Sequence, residues 1–248
     1  MTEAFGAAAH GATYLALAGV SASYDGVRIL HGIDLLQRRG ETLALLGRNG
    51  AGKTTLINAL FNLEPRVSGG ILIKGQDTAG WPTYRIARLG IALVPQGRGV
   101  FPTLTVDQSL RMATLRARRR PDRGGRLARV YDTFPRLAER RHCSSGALSG
   151  GERQLLAIAR ALLTEADFII LDEPSEGLSP IAIEDVMIGS IGALAREGLT
   201  LLIAEQNVAM ALRLATRAVV LARGHIAFDG PPAALLTDRA LQREHLGL

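Results

Sequence analysis

Five short apolar runs punctuate the chain: "ETLALLG" at 41–47, "IALVPQ" at 91–96, "ADFIILDEP" at 166–174, "LTLLIAEQ" at 199–206 and "RAVVLARG" at 217–224. Each is too short for a helix and rich in β-branched or aliphatic residues, so each is expected to be a buried strand. Helical spacing fills several of the intervals between them. Strands alternating with helices predict an α/β fold around a buried, largely parallel sheet. Two pieces near the start, 13–25 and 27–36, alternate more like antiparallel strands, and "GGILIKGQD" at 69–77 extends that edge. From 101 to 147 the strand pattern stops. "VDQSLRMATLRARRR" (106–120) and "RLARVYDTFPRLAERR" (126–141) read as helices separated by "PDRGG". The tail 231–248 reads as one or two short helices, and residues up to about 13, rich in Ala and Gly, as a loose arm.

At 248 residues the chain can bury a substantial core without staples. Cys143 is the single cysteine, which excludes internal disulfides and multi-cysteine zinc sites and fits a reducing compartment. No apolar run approaches the roughly 18 residues of a membrane span, and no basic segment with an apolar core opens the chain, so a cytoplasmic location is expected. His10, His31, His142, His225 and His245 show no ligand spacing. The formal charge of +6 comes almost wholly from dispersed arginines. The cluster Arg116, Arg118, Arg119 and Arg120 is either a solvated helix end or a contact for lipid headgroups or an acidic partner. Lys53 and Lys74 are the only lysines, which draws attention to where Lys53 lies.

It lies in Gly47-Arg48-Asn49-Gly50-Ala51-Gly52-Lys53-Thr54, a G-x-x-x-x-G-K-T sequence after an expected strand and before an expected helix. Glycines let successive N–H groups turn inward on a phosphate, Lys53 brings a compact charge to the β- and γ-phosphates, and Thr54 offers a hydroxyl to Mg²⁺. Such a loop needs a second magnesium anchor at the end of a neighbouring strand. Asp172, after four apolar residues, is placed to supply it. Glu173 beside it is placed to polarise an attacking water as general base. A second anion site is expected at Leu148-Ser149-Gly150-Gly151-Glu152-Arg153-Gln154, where a Ser-Gly-Gly start leaves the first N–H groups of a helix bare.

Together the loop 47–54, Gln96, "LSGGERQ" and "LDEP" resemble the ATP-binding cassettes of ABC transporters, from about Tyr14 to the end of the chain. The resemblance implies a P-loop NTPase cassette: a RecA-like core at 14–96 and 148–230, an antiparallel β edge, an inserted helical subdomain at 97–147 and C-terminal helices at 231–248. It implies ATP and Mg²⁺ as ligands. Gly47 through Thr55 would hold ATP, Tyr24 would stack on adenine, and Thr54, Gln96 and Asp172 would hold the metal. Glu173, Lys53, Gln96 and Gln206 would form the catalytic set. In such cassettes two subunits pair head to tail, so Leu148, Ser149, Gly150, Gly151 and Glu152 would meet the ATP held by the other subunit.

The wording of 85–110, 171–180 and 205–224 is most similar to the second ATPase subunit of branched-chain amino acid importers, with relatives assigned to urea and short amides. That implies two permease subunits, a second and different ATPase, and, indirectly, a periplasmic binding protein. A heterodimer is expected, a homodimer remaining open for the isolated chain, with the pair peripheral on the inner face of the cell membrane. Three positions depart from the family pattern: Gln206 stands where a histidine is usual, Ser179 where an aspartate is, and Glu152 where a glutamine is. A cassette acting on nucleic acid is the competing class. Its usual zinc cysteines, long coiled coils or second cassette are not in this sequence, which favours transport and no nucleic acid.

Overall fold

The computed structural model describes residues 13–97, 99–115 and 123–247. The arm before Thr13, Arg98 and the cluster Arg116 to Arg120 lie outside the described residues. Two sheets carry the chain. The first is antiparallel, in the order β2 (Val27–Arg38), β1 (Thr13–Tyr24), β4 (Arg66–Ile73), β5 (Gln76–Asp77). The second has six strands: β10 (His225–Gly230), β9 (Arg217–Ala222), β3 (Thr42–Leu46), β8 (Thr200–Glu205), β7 (Phe168–Asp172), β6 (Ile91–Val94). All of its pairings are parallel except β9 with β10.

Every residue of β3, β7 and β8 is buried, as strands covered on both faces require. Their side chains divide by the period of two. On one face Ile169, Leu171, Leu201 and Ile203 pack with the long helix α6 (Gly150–Leu162) and with the helical segment α3 (Val106–Thr114), α4 (Arg123–Thr133) and α5 (Pro135–Glu139). On the other, Phe168, Ile170, Leu202 and Ala204 pack with α1 (Lys53–Leu60) and the antiparallel sheet. Ala44 and Leu46 turn instead to the helix Val208–Leu214 and to Leu235. The result is an α/β layered fold whose parallel strands all end at one edge. Among the described residues no helix is long and apolar enough to cross a membrane.

The structure departs from the periodicity in particular places. The stretch 69–77 is two strands, not one, because Lys74 (φ +50°) and Gly75 (φ +73°) form a tight hairpin turn. Pro135 splits 126–141 into two helices, taking the first position of the second, where a missing N–H costs nothing. Helix α4 begins at Arg123, so the last three residues of the expected "PDRGG" separator are helical. The tail forms three short helical stretches, Pro232–Thr237, Arg239–Leu241 and Gln242–Leu246. Strand β10 is not apparent in the apolar pattern at all.

Candidate functional site

The loop 47–52 joins β3 to α1 and is braced from behind by the β9–β10 hairpin. The Gly224 N–H donates to the Ala51 carbonyl (3.1 Å) and the Gly224 carbonyl accepts from His31 N–H (2.9 Å), so one turn ties the loop to β2. Glycine is obligatory at two points of the loop. A Cβ at Gly47 would lie 2.4 Å from the Leu221 carbonyl oxygen, and one at Gly52 (φ +108°) 2.8 Å from Leu30. Arg48, Asn49 and Gly50 are exposed, Ala51, Gly52 and Lys53 buried, Thr54 exposed and Thr55 half-buried. The first N–H groups of α1 therefore open the helix beside a surface cleft.

Lys53 is only 4% exposed, and its ammonium is fully engaged. It donates to the carbonyls of Gly47 (2.8 Å) and Arg48 (3.4 Å) and pairs with Glu173 Oε1 (3.1 Å). Glu173 follows β7 with φ +47°, a left-handed conformation that costs a non-glycine residue of order 1 kcal/mol. Its N–H bonds the Ala204 carbonyl (2.9 Å), continuing the ladder to β8 while the side chain swings into the cleft. Gln96, two residues beyond β6, donates to Glu173 Oε2 (3.4 Å) and Glu176 Oε2 (3.0 Å).

Asp172 ends β7, 4% exposed, with Oδ1 accepting a long bond from Thr54 Oγ1 (3.4 Å). Burial is the main cause that pushes its carboxyl up to about 6; the Thr54 bond opposes this and the neighbouring Glu173 charge adds to it. A buried carboxylate facing a hydroxyl across a loose 3.4 Å contact, its charge favoured by that bond and by the Lys53 ammonium, fits a small hard cation held by oxygen ligands. Thr54 and Asp172, with the Gln96 amide oxygen across the cleft, are the residues that would hold Mg²⁺.

The cleft itself is about 560 Å³, within the range of small-molecule sites, and is lined by Asn49, Gly50, Thr54, Gln96, Glu173, Ser175, Glu176, Glu205, Gln206 and Asn207. The structure thus brings together the phosphate loop, Gln96, Glu173 and Gln206, with Asp172 beneath. It does not bring the segment 148–152 there. That segment is the start of α6, where a capping box corrects the expectation of a bare helix start. Ser149 Oγ accepts from the Glu152 N–H (3.2 Å) and Glu152 Oε2 accepts from the Ser149 N–H (2.7 Å). Glu152 is the reciprocal partner a glutamine would also be. Burial works against its charge, but the Ser149 bonds and Arg140 outweigh it and hold the carboxyl below its usual range. Among the described residues only the N–H groups of Gly150 and Gly151 are left open at this end. Leu148 and Gly151 are buried and Ser149 is exposed.

Tyr24 is the last residue of β1, at the Asp25-Gly26 hairpin turn. Its hydroxyl accepts from Asn58 (3.4 Å), holding the ring near the outer face of α1. Ser179 caps the helix that follows it, accepting from the Ala182 N–H (3.2 Å), a task an aspartate performs equally well. Sequence reasoning missed Glu205 and Glu176. A glutamate closing the apolar run "LTLLIAE", like Asp172 closing "FIILD", was the available signal for the first. For Glu176, within a polar loop, there was none.

Residues 30–176 match the ABC transporter family model. The chain is 41% identical over 228 residues to the high-affinity branched-chain amino acid transport ATP-binding protein BraG of Pseudomonas aeruginosa, covering 92% of this chain and 97% of that protein. It is 36% identical over 231 residues to the lipopolysaccharide export system ATP-binding protein LptB of Escherichia coli, covering 91% and 93%. Among solved structures it superposes on cbiO1 of Clostridium perfringens, part of the ABC transporter complex cbiONQ, with TM-score 0.81 and 26% identity over 94% of this chain and 96% of that one.

Proposed function

Because the chain belongs to the ABC transporter family as an ATP-binding, ATP-hydrolysing subunit that works with transmembrane permease subunits, we propose that it drives a branched-chain amino acid importer. In this reading it sits on the cytoplasmic face of the cell membrane, paired head to tail with a second ATPase subunit, and a periplasmic binding protein delivers the cargo. The likeness to BraG supports this choice of cargo over export, since BraG shares more identity than LptB, 41% against 36%, at similar coverage. A urea or short-amide importer is the neighbouring alternative.

The observation that carries the pairing is the composition of the cleft. Its walls come from the phosphate loop and the ends of β6, β7 and β8, while the exposed Ser149 and the open N–H groups of Gly150 and Gly151 are not part of its lining. Each chain therefore owns half a pocket and an anion-binding helix start to lend. We expect ATP turnover per chain to fall as the isolated protein is diluted below its pairing concentration, and to recover in an assembly with its permease. A dilute, demonstrably unpaired chain as fast as the assembly would overturn the shared site.

Within the site, Lys53 exchanges Glu173 for the β- and γ-phosphates when ATP binds, and the released carboxylate is free to accept a proton from water. Thr54, Asp172 and Gln96 would hold Mg²⁺, which would supply positive charge against the phosphates. Water oxygen then bonds to the γ-phosphorus as its bond to the β-bridging oxygen breaks, giving ADP and phosphate. Gln96 joins Glu173 to the residues that lead into the helical segment 97–147, which we place against the permease. Tyr24 flanks the adenine. Gln206 hydrogen-bonds the γ-phosphate without the charge a histidine can carry. Gln206→His should accordingly leave the ATPase rate of the assembly undiminished; a large loss, measured as phosphate release, would give glutamine a specific role.

A further inference from the structure

We propose that Glu205 is a positioning residue that holds the Glu173 backbone in its working conformation and ties it to Gln206, deepening the reading of Gln206 as a γ-phosphate contact. Glu205 ends β8 and is 2% exposed. Its carboxylate collects three backbone N–H donors: Ser175 on Oε1 (2.8 Å), Gln206 and Asn207 on Oε2 (3.1 Å each). Among the described residues no cation pairs with it. Burial raises its pKa, and hydrogen bonds from the Ser175 side chain and from the Ser175, Asn207 and Gln206 N–H groups oppose that.

The donors belong to two loops. Gln206 and Asn207 alone would make Glu205 an ordinary cap on the turn after its own strand. The bond to Ser175, thirty positions away in the chain, is what a local cap lacks. It lies two residues beyond Glu173, whose own N–H is fixed to Ala204. Strand β8 therefore grips the left-handed Glu173 from both sides, through one backbone carbonyl and one side chain. Because the same carboxylate grips Gln206, a shift of Gln206 when the γ-phosphate leaves pulls on Ser175 and on the loop that runs to Ser179.

The test is a double-mutant cycle in the full chain assembled with its partner subunits. Glu205→Gln keeps the volume but turns an amide against the Gln206 and Asn207 N–H groups. It should lower kcat by roughly 5- to 150-fold, the range of coupling between sites, with the KM for ATP within about threefold of native. Gln206→Ala should reduce kcat in the otherwise native assembly and add little in the Glu205→Gln background. If Glu205→Gln does not fold, Glu205→Asp carries the same cycle, its charge kept but one methylene too short to reach both loops. An unchanged kcat, or a Gln206→Ala factor equal in both backgrounds, would overturn the proposal, as would Gln206→Ala having no effect at all. The assignment as an ATPase is judged separately, by whether the native assembly turns over ATP.

Discussion

Glu173→Gln should bind ATP at least as tightly as the native chain while turning it over about 10²- to 10⁴-fold more slowly, the usual contribution of a general base. The two effects have separate causes in the geometry. Glutamine fills the same space and can keep a bond to Gln96, so the cleft is not rebuilt. It cannot accept the proton of an attacking water. It also cannot form the 3.1 Å ion pair that engages Lys53, so ATP no longer has to displace a carboxylate to reach the lysine. The nucleotide then remains where it binds, and under the shared-site reading the pair of subunits stays closed around it. Equilibrium nucleotide binding, phosphate release and size-exclusion chromatography with ATP check the three parts. Turnover within a few-fold of native would remove Glu173 from the role of base.

The same ion pair shows what was legible in the sequence and what was not. The strands β3, β6, β7, β8 and β9 could be read because buried parallel strands are written as unbroken apolar runs. Gly47, Gly52, Lys53 and Asp172 could be located because a phosphate loop and a strand-ending carboxylate have fixed spacing. Strand β10 could not. Its residues alternate between exposed and half-buried and carry a single large aromatic, Phe228, so no apolar run marks it. Yet its turn at Gly224 braces the phosphate loop. Nor does sequence reveal which partner a charged group holds before its ligand arrives. The Lys53–Glu173 pair and the Glu205–Ser175 bond are long-range choices made by the packed chain, whereas the Ser149–Glu152 capping box is local, three residues apart. Residue type announces that a group must be satisfied, and tertiary structure decides by what.

Lys53→Ala is expected to weaken ATP binding by roughly 10²-fold or more, as truncating one member of a buried, hydrogen-bonded charge pair does. Lost attraction to the phosphates is one part. The rest falls on the groups Lys53 leaves behind: the Gly47 and Arg48 carbonyls, which its ammonium draws together within the loop, and Glu173, which would lie beside Asp172 with no cation near. Two carboxylates at the end of one strand then repel each other and the incoming triphosphate. This predicts a specific non-additivity. Removing the Glu173 charge as well, in Lys53→Ala with Glu173→Gln, should recover part of the lost affinity although a second binding-site residue has been changed. Calorimetric titration of ATP into the native chain, both single variants and the double variant measures the effect directly. Unchanged affinity in Lys53→Ala would refute the phosphate-loop assignment. Strict additivity in the double variant would leave that assignment intact but show that the Lys53–Glu173 pair does not compete with nucleotide.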